Sequence, residues 1–276
     1  MKKKIIFLDI DGTLTEPGCN EPPASALQAI RRTQEKGNLV FLCTGRNYDM
    51  LSPLLPYGFD GVIASSGAYI RCGEEVIYDC TMTDKEQETV MKLLKENGIF
   101  RTVECLDGSY TDEGFKEFLR ENAGVNGNSE LLRWRRQIEK SLNIRPMSEY
   151  GGQPIYKIVM MVQSEEQLSE PRRVLGDKFD FCIQEHDRSG FVNGELIKKD
   201  YNKGTALKKV CAYYDVSVED SIAYGDSMND LEMMEAAGIS VCMENGSGKL
   251  KELADDICPS VQDDGIYRSF EKHMLL

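Results

Sequence analysis

Asp9 and Asp11 stand one residue apart, directly after the wholly apolar run Ile5-Ile6-Phe7-Leu8 and directly before Gly12. Two carboxylates at that spacing suit a shared hard cation, because Mg2+ takes oxygen ligands and needs only a few of them from protein. The element that must present them is a strand. Four consecutive apolar residues fit a strand buried on both faces, as in a parallel sheet, and Gly12 lets the chain leave its end sharply. Open parallel sheets bind ligands at the carboxyl ends of their strands, so the pair falls where such a fold does chemistry.

Three more segments repeat the pattern of an apolar stretch joined to polar groups. Leu39-Val40-Phe41-Leu42-Cys43 runs into Thr44-Gly45-Arg46; Lys203-Gly204 opens an apolar helix; and Ser221-Ile222-Ala223-Tyr224 runs into Gly225-Asp226-Ser227-Met228-Asn229-Asp230. Asp9-Ile10-Asp11-Gly12-Thr13-Leu14 resembles the first signature of the haloacid dehalogenase (HAD) superfamily, and these three segments resemble the second, third and fourth, in the expected order and structural context.

That resemblance implies a mechanism consistent with the chemistry of each group. Asp9 is the nucleophile, since an aspartyl-phosphate splits one difficult hydrolysis into two easier steps. Asp11 is the general acid and base, protonating the leaving alcohol and later taking a proton from water. Phosphoryl transfer is served mainly by alignment and charge neutralisation. Thr44 and Gly45, at a strand-to-helix turn, suit phosphate oxygens, as do Lys203 as a point charge and Asn229 as a donor. Asp226 joins Asp9 in holding Mg2+, and Asp11 enters the metal set through a nearby main-chain carbonyl. Asp230 steadies Lys203 or the metal shell. Arg46, grouped with the substrate- and phosphate-binding residues, has two open readings: a reach towards the substrate or the cap, or a surface or interdomain salt bridge.

The spacing of the motifs sets the architecture. Residues 11 to 44 hold a loop, a helix over Ala24 to Lys36 and a strand, whereas about 160 residues separate Thr44 from Lys203, several times the need of one crossover. The expectation is an α/β fold: a Rossmann-like core with a parallel sheet over 1-80 and 191-276, and an inserted α+β domain over 81-190. The core carries strands at 5–8, 39–43, 59–64, 221–224 and 238–243, a small hairpin ending near Asp79, helices from Lys203 to Tyr214 and through Met233, and a terminal helix after Asp263. The insertion carries helices over 84–97, 112–122, 129–140 and 165–175, strands over 99–105, 155–162 and 179–184, and a return through Glu195-Leu196-Ile197. An insertion of this size after the second motif resembles the C2B-type cap of the Cof-type branch, subfamily IIB, whose caps close over the core site and choose the substrate. One departure from that branch is Ser66-Gly67-Ala68, where many relatives carry Asn-Gly-Ala.

The composition fits an intracellular enzyme. The formal net charge of -13 and pI near 4.8 oppose polyanions and anionic membranes, so neither nucleic acid nor membrane is an expected partner, and small phosphorylated metabolites are. The basic start Met1-Lys2-Lys3-Lys4 leads into an apolar run that Asp9 interrupts well short of an export segment. Nine scattered cysteines without a Cys-x-x-Cys pair fit reduced thiols in a cytoplasm. The reading is a cytoplasmic, Mg2+-dependent phosphatase acting on sugar phosphates or related metabolites, as a monomer or weak homo-oligomer. A phosphomannomutase-like phosphomutase and a catalytically silent sugar-phosphate sensor are the alternatives. For substrate choice the sequence offers Lys157, the basic cluster Arg133-Trp134-Arg135-Arg136, His186 and Arg188, each of which equally fits a surface or paired role.

Overall fold

The computed structural model describes residues 2–114, 143–183 and 192–276, which divide into two compact units: residues up to Arg46 with Leu51–Asp79 and Tyr201–Leu276, and Asn47–Met50 with Cys80–Asp200.

The first unit is built on an eight-stranded sheet. Its strands are β1 (Ile5–Leu8), β2 (Leu39–Cys43), β3 (Gly61–Ala64), β4 (Tyr69–Cys72), β5 (Glu75–Asp79), β12 (Ser221–Gly225), β13 (Ile239–Met243) and β14 (Asp256–Cys258), in the order β14-β13-β12-β1-β2-β3-β4-β5. The strands from β14 to β3 pair in parallel, and β4 and β5 add an antiparallel hairpin. The parallel sheet therefore gains one strand, β14, beyond those read from the sequence. Asp256-Ile257-Cys258 is too short to show a strand period.

Side-chain alternation along β1 explains the helices on both faces. Ile5 and Phe7 enter a buried cluster with Phe41, Ile63, Leu207, Val210 and Met233, which brings α4 (Lys203–Tyr213) and α5 (Leu231–Ala236) to that face. On the opposite face, Tyr224 of β12 hydrogen-bonds Ser269 at 3.0 Å and packs on Phe270, both in α7 (Gly265–Lys272), which lies against α1 (Ala24–Glu35). Helix α6 (Gly248–Leu253), not read from the sequence, precedes β14.

Parallel register aligns the strand tips. Leu8 sits beside Leu42 on one side and Tyr224 on the other. Asp9, Thr44 and Asp226 each follow the carboxyl end of a strand in that trio, so all three emerge at one edge of the sheet.

The second unit has its own six-stranded sheet: β6 (Phe100–Cys105), β7 (Gly108–Thr111), β8 (Ile144–Pro146), β9 (Lys157–Val162), β10 (Phe179–Ile183) and β11 (Val192–Lys198), in the order β10-β11-β9-β6-β7-β8. Helices α2 (Asp84–Glu96) and α3 (Ser169–Leu175) supply Val90, Leu94 and Leu175 to a core shared with Val103, Ile158, Met160, Phe179 and Leu196. Thr83 and Glu86 close a reciprocal capping box at the start of α2. Along β6, β7 and β9 the alternate residues form a polar layer, with Thr102 and Thr111 sharing a 2.9 Å hydroxyl contact. In that layer the fully buried Lys157 ion-pairs Glu195 at 2.5 Å and Glu104 at 3.6 Å.

Two features differ from the boundaries 1-80, 191-276 and 81-190. Strand β11 pairs along its length with β9 and β10, so the second unit continues to Asp200. Asn47 donates to Ser109 Oγ at 3.0 Å and Met50 packs with Val159, so Asn47–Met50 belong with the second unit although they directly follow Arg46. The helices read over 112–122 and 129–140, the cluster Arg133-Trp134-Arg135-Arg136, His186 and Arg188 lie outside the described residues, apart from the segment Asp112 to Gly114.

Candidate active site

Asp9 leaves β1 with its backbone N–H still bonded to the Tyr224 carbonyl at 3.0 Å, which holds it in line with the sheet. Its Oδ1 accepts a hydrogen bond from Lys203 Nζ at 2.7 Å, and the same ammonium donates to Asp230 Oδ1 at 2.6 Å. Lys203 is the first residue of α4, whose N-cap Asn202 accepts from the Thr205 N–H at 2.7 Å. The lysine is 2% exposed, so its charge is neutralised almost entirely by these two carboxylates. Asp230 is fixed from its other side: Oδ2 accepts from the backbone N–H groups of Asp226 at 3.1 Å and Ser227 at 3.2 Å.

Asp226 completes a group of three carboxylates. One oxygen each of Asp9, Asp226 and Asp230 lies within 4.8 Å of the others, and Asp226 Oδ1 is buried without a hydrogen-bond partner among the described residues. Burial, followed by the negative charge of Asp230, pushes the Asp9 carboxyl up to about 7 even with Lys203 beside it. Burial and the charges of Asp230 and Asp9 push Asp226 well above the usual carboxylate range. Lys203 moves the other way: burial opposes its charge, but Asp230 and Asp9 outweigh that and raise it well above an ordinary lysine. Three clustered acids facing one ammonium, with an orphaned buried oxygen among them, form a hard-oxygen site that a divalent cation fits.

Gly12 is part of this construction. Its φ is +88°, and a Cβ there would stand 2.4 Å from Asp226 Oδ2, so the turn after Asp11 admits no side chain. The Gly12 carbonyl accepts from Asn245 Nδ2 at 2.8 Å, and the Asp226 carbonyl accepts from the Ser247 N–H at 2.8 Å. The loop after β13 thus pins the bases of two motifs. Sequence reading missed Asn245 and Ser247, although their place beyond the carboxyl end of a parallel strand was an available signal.

The Asp11 side chain lies apart from the carboxylate cluster, and its expected part in the metal set runs through a main-chain carbonyl, which that direction leaves untouched. Its carboxylate turns to Arg46, which donates from Nε to Oδ2 at 2.8 Å and from Nη2 to Oδ1 at 2.7 Å, and Asp230 takes the third place in the carboxylate cluster. Arg46 thus forms a salt bridge, but a buried one within the first unit and not the surface or interdomain pair expected. Thr44 is buried, and its hydroxyl accepts from the Arg46 N–H at 3.1 Å; Gly45 is buried within the same turn. Asn229 is exposed and its Oδ1 accepts from Ser227 Oγ at 2.7 Å, which leaves Nδ2 as the end available to a ligand.

The departure at Ser66 occupies a strained turn. Ser65, Ser66 and Gly67 have φ of 48°, 59° and 110°, left-handed values that a serine adopts less readily than asparagine. The turn is held by the Ser65 N–H on the Arg46 carbonyl at 2.8 Å and the Ser66 N–H on the Thr44 carbonyl at 3.0 Å. A Cβ on Gly67 would meet the Asn202 carbonyl at 2.5 Å. Thr44 and the start of α4 are therefore both registered against one tight turn.

Comparison with known proteins places nearly the whole chain in one family. Residues 6–270 match the family model of the haloacid dehalogenase-like hydrolases. The chain is 27% identical over 267 residues to the putative phosphatase YkrA of Bacillus subtilis, covering 96% of each chain. It is 26% identical to the 5-amino-6-(5-phospho-D-ribitylamino)uracil phosphatase YwtE of Bacillus subtilis, covering 95% of each. Among solved structures, the HAD subclass IIB sugar phosphatase BT4131 superposes with a TM-score of 0.75 at 21% identity, over 99% of this chain and 100% of that one. The strand-tip carboxylates, the buried lysine and the match across nearly the whole length lead to one assignment: the chain belongs to the haloacid dehalogenase-like hydrolases and is a phosphatase of their Cof-type branch.

Proposed function

We propose that the protein is a Mg2+-dependent phosphatase that hydrolyses small phosphorylated metabolites, sugar phosphates foremost, through an aspartyl-phosphate on Asp9. The observation that carries this reading is the Asp9 carboxylate at the strand tip, gripped on Oδ1 by a buried lysine and crowded by two further acids. Lys203 fixes Oδ1 and leaves Oδ2 to attack phosphorus. As the Oδ2–P bond forms, the bond from phosphorus to the substrate alcohol breaks, and Asp11 delivers its proton to the departing oxygen. In the second half, Asp11 takes a proton from water, the water oxygen bonds to phosphorus, and the acyl phosphate bond breaks to return Asp9 and release inorganic phosphate. The Thr44 hydroxyl, the Gly45 N–H, Lys203 and Asn229 Nδ2 orient the phosphoryl oxygens.

Asp9, Asp226 and Asp230 are the residues that would hold Mg2+, together with a main-chain carbonyl near Asp11. Bound there, the ion would supply the positive charge that lets one anion approach another. The sugar-phosphate preference draws support from the sugar phosphatase among the structural neighbours, while the different substrate in the name of YwtE shows that the shared core does not decide the leaving group. All nine cysteines are free, which supports a reducing, cytoplasmic setting. Among the described residues no helix is long and apolar enough to cross a membrane.

A phosphate-release assay over a broad panel of phosphomonoesters, with and without Mg2+, tests the proposal, with Asp9→Asn as the control. The expected result is metal-dependent release that Asp9→Asn abolishes. Turnover that needs a bisphosphate activator and releases no phosphate would instead identify a phosphomutase.

A further inference from the structure

The nine residues after Asp11 fold back onto it. Gly12 N–H donates to the Thr15 carbonyl at 2.8 Å, Thr15 Oγ1 donates to the Cys19 carbonyl at 3.1 Å, and the Gly18 N–H donates to Asp11 Oδ1 at 2.8 Å. This returning loop then meets Arg46. The guanidinium that forks onto both Asp11 oxygens also donates from Nη2 to the Cys19 carbonyl at 3.1 Å and from Nη1 to Asn20 Oδ1 at 2.6 Å. Arg46 is 1% exposed, and its planar fork is matched to one carboxylate and to two oxygens of the loop.

We propose that Asn20 and Arg46 are positioning residues that hold the Asp11 carboxylate in its working orientation, with Asn20 orienting the guanidinium and the guanidinium orienting Asp11. The inference rests on the acid and base role given to Asp11 above. Proton transfer to a leaving oxygen demands hydrogen-bond alignment, and a side chain free to rotate at Cα–Cβ and Cβ–Cγ loses it. Arg46 removes that freedom by contacting both oxygens. Its own rotation is removed by the Cys19 carbonyl on Nη2 and Asn20 on Nη1. The donors so engaged are aimed at protein oxygens, so Arg46 serves the acid and not the phosphate.

The test compares kcat and KM on alkyl phosphates, whose leaving group needs a proton, with those on activated aryl phosphates, whose leaving group does not. Asp11→Asn, Arg46→Met, Arg46→Lys, Asn20→Ala and the Arg46→Met/Asp11→Asn double variant are assayed, with inhibition by inorganic phosphate as a second readout. Arg46→Met is expected to lower kcat on alkyl phosphates by on the order of 10²-fold, with a much smaller loss on aryl phosphates and unchanged inhibition by phosphate. Asn20→Ala repeats the pattern at on the order of tenfold, and it carries the test should Arg46→Met fail to fold. Arg46→Lys recovers part of the loss, and the double variant is no worse than Asp11→Asn alone. Equal losses on both substrate types with weakened phosphate inhibition would make Arg46 a phosphate ligand and overturn the inference. A flat response of Asn20→Ala, or a double variant with multiplied losses, would also overturn it. If Asp11→Asn itself lost both substrate types equally, the acid role under the proposed function would fall; a normal Asp11 pattern with flat Arg46 and Asn20 would remove only the positioning relay.

Discussion

A buried lysine held between Asp9 and Asp230 accounts for two of the three clustered carboxylates, and the third, Asp226, has no equivalent cation among the described residues. Keeping a carboxylate charged in such a place is unfavourable, as the strong upward shift of Asp226 shows. Replacing Asp226 with Asn removes that repulsion while preserving shape. The metal-free Asp226→Asn protein is therefore expected to melt at a higher temperature than the metal-free parent, and a rise of the midpoint with Mg2+, expected for the parent, should be lost in the variant. Thermal melts with and without Mg2+ check this; a lower midpoint in the metal-free variant would mean that Asp226 is stabilised by something other than a cation. Cys43, next to Thr44, is a fully buried thiol pushed upward by burial, which suits a packing residue and not a nucleophile.

Elements earn their positions here through short polar devices at their ends. The clearest in the second unit is the start of α2, where Glu86 closes a capping box with Thr83 and pairs with Lys178 at 3.1 Å and Lys198 at 3.4 Å. Burial works against its charge, but the Thr83 N–H and hydroxyl and the two lysines outweigh it and hold the carboxyl down at about 2. A carboxyl depressed in the folded state contributes stability above its unfolded value of 4.5, and loses that contribution as pH falls towards about 2. Glu86→Gln should thus lower the melting midpoint of the second unit at neutral pH, and the difference from the parent should close between about pH 4.5 and 2. A difference that stays constant across that range would reduce Glu86 to a neutral cap. The strands missed from sequence share one cause. Ile144-Arg145-Pro146 and Asp256-Ile257-Cys258 have three residues each, and Gly108-Ser109-Tyr110-Thr111 opens on glycine with a single large apolar residue, so none presents a readable alternation.

Across the whole molecule, what could be read from sequence was what the backbone pattern dictates. Apolar runs ending in Asp9, Thr44 and Asp226 betray parallel strands because such strands are buried on both faces, and their common edge follows from the parallel register. Side-chain direction was not encoded in that pattern. That the Asp11 carboxylate faces Arg46 and the Asp230 carboxylate faces Lys203 depends on torsions set by Arg46, Gly18 and the N–H groups of Asp226 and Ser227, which come from distant parts of the chain or from turn geometry. The same holds for Asn47–Met50, which follow a core motif in sequence and yet pack with the second unit through Ser109 and Val159. Lys157 reads as a strand lysine by alternation, and its ion pairs with Glu195 and Glu104, which come from other strands, accompany its full burial. The formal net charge of -13 opposes the approach of polyanions.

Trapping the covalent intermediate tests the central claim most directly. Asp11→Asn protein, in which attack by water on the phospho-enzyme is slowed, is mixed with Mg2+ and an activated aryl phosphate, quenched in acid and treated with borohydride. Peptide mass mapping then reads position 9. The account predicts that the acyl phosphate on Asp9 is reduced, converting that residue to homoserine in proportion to the aryl alcohol released. Stoichiometric release of the alcohol with Asp9 unmodified, or with the modification on another carboxylate, would contradict it.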